Sequence, residues 1–189
     1  MQGDIERVSA TGDDDALARL EVLVSGDELI VRNKARGWVG DWFGGVRNHR
    51  VDLVIEFIDL EGFKLSGSGR VRAAVLRSPE FDLEIEGSGS TNIEQLLGDS
   101  LKIRVAGSGD IDVAGVVGRQ EIGISGSGAY EARDLATEST TVRVAGSGHA
   151  KVAASAVLDA HISGSGSVRY VGDPEVSSSI SGSGKIRPL

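Results

Sequence analysis

Val105-Ala106-Gly107-Ser108-Gly109-Asp110-Ile111-Asp112-Val113 is the stretch that decides how this chain folds. Apolar residues take every second position on both sides of a Gly-Ser-Gly triplet, and the two glycines fall on the same parity. The triplet recurs seven times, beginning at Gly67, Gly87, Gly107, Gly126, Gly146, Gly164 and Gly182, at steps of 20, 20, 19, 20, 18 and 18 residues. A fixed period of this size marks stacked supersecondary units. Period-two alternation marks strands. A repeat of this length is too short for a strand-helix-strand unit, which needs roughly 30 residues.

The remaining solution is a coil of short strands, each turn pairing in parallel with the next about 4.8 Å further along. The expected fold is therefore all-β: a single-domain parallel β-helix, or β-solenoid. Glycine inside a strand signals a bend or a close approach of other backbone. If each strand runs unbroken through its triplet, both glycines face inward and the central serine faces out.

Composition agrees with a narrow aliphatic interior. Hydrophobic residues make up 40% of the chain but aromatics only 4%. The triplets account for 14 of the 27 glycines, so the glycine excess belongs to the architecture. The formal net charge of −8 argues against nucleic acid as a partner. Cysteine is absent, which excludes disulfides, thiolate metal sites and a cysteine nucleophile. No run of 18 apolar residues is present, so no membrane span is expected. Met1-Gln2-Gly3-Asp4 opens on polar residues rather than a signal peptide.

Residues 1–62 lack the triplet and are expected to form the first coils or a cap, with residues 63–189 as the repeat β-helix and the two together as one domain. Residues 1–16 read as a loose acidic start, and Leu20, Val22 and Val24 begin an alternation that turns at Ser25-Gly26-Asp27. Between Arg32 and Arg50 the pattern breaks. This stretch holds Trp38, Trp42 and Phe43, and five cations (Arg36 and Arg47 among them) against the single acid Asp41. It reads either as an aromatic plug over one end of the coil or as an exposed loop that binds sugars or an anionic surface.

The recurrent Ile-Ser-Gly-Ser-Gly motif (Ile124–Gly128, Ile162–Gly166, Ile180–Gly184) and the ending Ser177–Lys185 resemble the bacterial putative auto-transporter adhesin head GIN domain family. The resemblance runs from about residue 17 to the end. It implies a right-handed β-helix with an atypical N-terminal capping segment, an exported location (periplasmic, outer-membrane-associated or extracellular) and no established enzymatic activity.

Outward positions are where chemistry would have to sit. Five residues after each first glycine stand Arg72, Asn92, Asp112, Glu131, Lys151, Arg169 and Arg187, a mixed column read as a solvated face with an ion pair between Glu131 and Lys151. Asp110 and Asp112, with His149 two turns away, are the best acid–base grouping for a polysaccharide-cleaving enzyme. No second carboxylate cluster supports them, so no catalytic residue, metal or cofactor is assigned. The central serines Ser68, Ser88, Ser108, Ser127, Ser147, Ser165 and Ser183 form a lightly polar strip. The strip is either what a sharp bend tolerates or a packing surface for a homo-oligomer or extended ligand. The function expected is that of a non-enzymatic, exported, adhesin-like surface protein. Envelope polysaccharide or lipid binding is the alternative, with a cell-surface glycan or lipid as partner.

Overall fold

The computed structural model describes residues 2–34 and 51–189. They fall into two compact units, Ile5–Glu56 and the remainder, Met1–Asp4 with Phe57–Leu189.

The smaller unit contains β1 (Arg7–Gly12), the one-turn α1 (Asp14–Leu17), β2 (Leu20–Ser25), β3 (Glu28–Asn33) and β4 (Val51–Glu56). β2 and β3 form an antiparallel hairpin with Ser25 opposite Glu28. Its two-residue turn starts on Gly26 at φ +62, the positive φ that tight hairpins need there. β1 pairs antiparallel with β4, from Arg7 opposite Glu56 to Gly12 opposite Val51. The acidic start is therefore not loose. Its strand is held by β4, 39 to 49 residues further along the chain (Gly12 with Val51, Arg7 with Glu56), a pairing that local composition does not signal.

In the larger unit the strands are β5 (Gly62–Gly67), β6 (Arg70–Arg77), β7 (Glu80–Gly87), β8 (Ser90–Gly107), β9 (Asp110–Gly126), β10 (Ala129–Ala132), β11 (Leu135–Ala136), β12 (Ser139–Gly146), β13 (His149–Ala153), β14 (Val157–Gly164), β15 (Ser167–Val171), β16 (Glu175–Gly182) and β17 (Lys185–Pro188). They pair in parallel, coil upon coil, as a β-solenoid. Strands that precede the triplets make a first wall, in the order β5, β7, β8, β9, β12, β14, β16. Strands that follow them make a second wall, in the order β6, β8, β9, β10, β13, β15, β17. From β7 onward the first-wall strand always holds eight residues ending on the first glycine. The uneven repeat length is absorbed after the triplet. One such adjustment is the register shift between Ile93 and Leu96, where β8 meets β9.

The triplet is a corner and not a continuous strand. Gly146 has φ +120, and a Cβ there would stand 2.5 Å from the carbonyl oxygen of Gly126 in the coil beneath. So the first glycine does not point inward as an unbroken strand would require; its missing side chain makes room for the neighbouring coil's backbone. Gly148 does face the interior, and a Cβ there would press Ile124 Cγ2 at 2.6 Å. Between them Ser147 N–H donates to the Gly126 carbonyl at 2.9 Å, and His149 N–H donates to that of Gly128 at 3.0 Å. The same two bonds recur at each later coil, so the corner continues the ladder of the walls.

Inside, the two inward columns of the first wall run Leu83, Ile103, Ile122, Val142, Ala160 and Ile85, Val105, Ile124, Val144, Ile162, all buried. One polar network interrupts this aliphatic stack. Gln120, 2% exposed, donates its amide to Thr140 Oγ1 at 3.0 Å and to the Ala153 carbonyl at 3.2 Å, while the Tyr130 hydroxyl donates to Gln120 Oε1 at 2.9 Å. Burial pushes the Tyr130 phenol well above its ordinary range. Thr91, 3% exposed between Val71 and Ile111 in the second wall, has no partner for its hydroxyl.

Three outcomes follow for stability in urea. Gly146→Ala costs about 3 kcal/mol or prevents folding, because it combines a glycine-only φ with a backbone collision, whereas Ser147→Ala at the exposed centre of the same triplet stays within about 0.5 kcal/mol of wild type. Thr91→Val gains about 1 kcal/mol by removing an unsatisfied buried hydroxyl. For Tyr130, the folded phenol titrates above the unfolded one, whose ordinary value is about 10. Its contribution is complete below that pH and is lost as pH rises beyond it. Tyr130→Phe should therefore cost about 1–3 kcal/mol at pH 7 by orphaning the Gln120 oxygen, with that deficit shrinking above pH 10; a deficit constant to pH 11.5 would contradict this account.

Candidate functional site

The solenoid interior is filled, so candidate sites lie on its outer faces. At the corner, Ser68, Ser88, Ser108, Ser127, Ser147, Ser165 and Ser183 are all exposed. The residues two positions before them (Ser66, Glu86, Ala106, Ser125, Ala145, Ser163 and Ser181) are exposed too. From Ser88 onward the serine backbone N–H groups bond the preceding coil at 2.8–2.9 Å, so these serines offer hydroxyls and not amides. It holds no acid–base pair. Its chemistry is lightly polar, carried by small side chains apart from Glu86.

The outer face of the second wall carries the columns read from the sequence. Arg72, Asn92, Asp112, Glu131, Lys151, Arg169 and Arg187 stand in register on successive coils. Glu131 and Lys151 form the expected ion pair at 2.8 Å, and Arg133 lies 4.0 Å from the same carboxylate. Asp110 and His149 share one column, separated by Ala129. His149 Nδ1 lies 3.0 Å from Ser167 Oγ, on the side away from Asp110. Asp110 and Asp112 are thus not joined to a base. Among the described residues no cluster of three or more His, Asp or Glu is placed to hold a metal.

The outer face of the first wall went unread in the sequence, although the same period marks it. Counting three and five residues back from each first glycine places Lys64, Glu84 and Arg104 in one column and Asp82, Lys102 and Glu121 in the next. Lys64 Nζ lies 2.7 Å from Glu86 and 3.2 Å from Glu84. These two carboxylates, Glu86 first, hold the Lys64 ammonium above its usual value, and Lys64 in turn holds the Glu86 carboxyl below its usual range. Arg143 pairs with Glu121 at 3.1 Å, and His161 lies 3.1 Å from Asp159. Near the start of this wall a shallow groove of about 610 Å³ crosses several coils, lined by Glu80, Ser100, Lys102, Arg119 and Glu121 among others. Arg119 reaches Glu80 across it at 3.7 Å, passing over the coil of Ser100. Donors and acceptors of both signs line this groove, a setting for hydrogen bonding without a reactive centre.

Arg36, Trp38, Trp42, Phe43 and Arg47 lie outside the described residues. No helix among the described residues is long and apolar enough to cross a membrane.

Comparison with known proteins bears directly on this architecture. Residues 1–174 match the family described as "Putative auto-transporter adhesin, head GIN domain". A putative adhesin of known structure from Bacteroides fragilis is 26% identical, with a TM-score of 0.87 over 98% of this chain and 83% of its own. A putative lipid binding protein from Parabacteroides distasonis is also 26% identical, with a TM-score of 0.70 over 100% of this chain and 86% of its own. A putative adhesin from Parabacteroides merdae, 20% identical with a TM-score of 0.70 over 96% of this chain and 82% of its own, shares the fold. No protein of curated function matches the chain. With residues 1–174 of 189 inside that match, this chain belongs to the putative auto-transporter adhesin, head GIN domain family.

Proposed function

We propose that this protein is an exported, non-enzymatic, adhesin-like component of the bacterial cell envelope that binds through its outer surface. The family match over residues 1–174 carries this reading. Two physical observations support it. The coil interior is packed with buried, mostly aliphatic side chains. The outer columns bear charges of both signs without a base joined to Asp110 and Asp112. A second reading is an envelope polysaccharide- or lipid-binding module, favoured by the 26% identity to the putative lipid binding protein from Parabacteroides distasonis. In either case the Trp38–Phe43 segment, flanked by Arg36 and Arg47, is our proposed contact for sugar rings or anionic headgroups, since aromatic faces and cations recognise both.

The test immobilises the purified protein and measures capture of isolated bacterial envelopes, phospholipid vesicles and cell-wall polysaccharides. Saturable capture of envelopes is expected, with no new reducing ends released from polysaccharide. Trp38→Ala with Trp42→Ala should lower capture about tenfold or more, since each stacked ring contributes on the order of 1 kcal/mol, while the melting temperature stays within about 2 °C. Failure to retain envelopes would end the adhesin reading, and polysaccharide cleavage that Asp110→Ala abolishes would replace it with an enzyme.

A further inference from the structure

From Asn92 onward, beyond the cation Arg72 on the coil before it, the second wall's outer column is not mixed when read coil by coil; its charges come in blocks. Asn92, Asp112 and Glu131 occupy the coils on one side of the step from β10 to β13, and Lys151, Arg169 and Arg187 those on the other. Parallel, in-register stacking sets like charges directly opposite one another. Asp112 faces Glu131, and Arg169 stands between Lys151 and Arg187. Such placement is unfavourable within one sheet. Only the central pair, Glu131 with Lys151, is neutralised locally. Asp112, Arg169 and Arg187 are exposed and join none of the ion pairs among the described residues.

A face that runs from negative to positive about a midpoint is its own complement when turned end for end. We propose that this face is the binding surface for a second copy of the same chain. The two copies meet face to face about a two-fold axis that lies along the strand direction at the Glu131/Lys151 step. That rotation keeps each column opposite itself and reverses the order of the coils. Asp112 then meets Arg169 of the second copy, and Glu131 meets Lys151, each pair formed twice, as an isologous contact requires. Asn92 comes opposite Arg187 in the same operation. In the neighbouring outward column Ala129 comes opposite His149. No like charges are brought together along the charged column.

Six coils at about 4.8 Å and five residues of strand at about 3.3 Å give roughly 500 Å² per copy. A stable interface of standard size uses about 800 Å² per partner. The association is therefore weak, dependent on concentration and sensitive to salt, since its specificity is carried by exposed charges.

Sedimentation velocity on the full chain across a concentration series, at 20 mM and 500 mM NaCl, tests this. Dimer should form at low salt and dissociate at high salt. Asp112→Arg alone and Arg169→Asp alone should each weaken dimerisation about tenfold or more, because each sets like charges against one another across the contact. The double variant D112R/R169D should restore it. Within one chain these positions are three coils apart, about 14 Å, so restoration cannot arise inside a single molecule. Both positions are exposed, and circular dichroism should be unchanged. Ser127→Arg on the corner strip should leave the dimer intact. Any of four results would overturn the proposal: a monomer at every concentration, single reversals without effect, no rescue in the double variant, or dissociation by Ser127→Arg. Capture of the monomer by phosphatidylglycerol vesicles, lost in Arg169→Asp, would assign the basic block to an anionic surface instead.

Discussion

The solenoid depends on a contact that leaves no room for a side chain. At each corner the carbonyl of a first glycine accepts the N–H of the serine in the next coil, at 2.8–2.9 Å. The glycine directly above takes a φ between +120 and +125, which turns the chain so that a Cβ there would collide with that same carbonyl. With glycine there, the serine amide of each corner from Ser88 onward stays bonded while the chain changes direction. A buried loop would otherwise leave polar backbone groups unsatisfied, each at a cost comparable to a lost hydrogen bond. The period of the sequence is the period of this contact.

Because the corner is held by backbone, the interior is free to vary. The inward column four residues before each triplet runs Phe63, Leu83, Ile103, Ile122, Val142, Ala160, Ser178, from a large aromatic to small residues at the C-terminal end. Aromatic volume enters through the fully buried Tyr130 and through the edge-to-face pair that Phe63 of this column makes with Phe81, with centroids 6.0 Å apart. The Gln120 network has a different character from the aliphatic stack around it. It ties the coils of β9, β10, β12 and β13 through directional bonds that an aliphatic stack cannot make. Buried polar groups of this kind are favourable only when all members are satisfied, and here Tyr130, Thr137 and Thr140 complete the set.

With the inside filled, the solenoid presents its chemistry on its outer faces, and those faces differ. The corner strip is small and uncharged apart from Glu86. The first wall pairs its charges locally, as Lys64 does with Glu84 and Glu86, and Arg143 with Glu121. The second wall pairs Glu131 with Lys151 but leaves Asp112, Arg169 and Arg187 outside the ion pairs among the described residues. A fold that stacks identical backbone units offers the same scaffold at every coil, so the difference between faces is carried by outward side chains alone. These side chains are free to change without disturbing the core.

Much of this was legible in the residues. The seven triplets and the period-two alternation around them specify parallel coils, because a strand pattern with a period near 19 residues has no other compact solution. The same count places Glu131 beside Lys151 and exposes the central serines. Other features needed the third dimension. Read as strand, both glycines of a triplet share the inward parity, and only the folded corner shows that the first one faces backbone while the second faces Ile, Val or Leu. The pairing of β1 with β4 depends on contacts between residues far apart in the chain. Gln120 and Thr140 look like polar breaks in an inward column until tertiary packing brings Tyr130 and the Ala153 carbonyl to them. The sequence alone determines what repeats, since periodicity is a one-dimensional property. Which polar groups meet is decided only when coils stack, because hydrogen bonds and like-charge contacts depend on register between chain segments that the sequence does not place side by side.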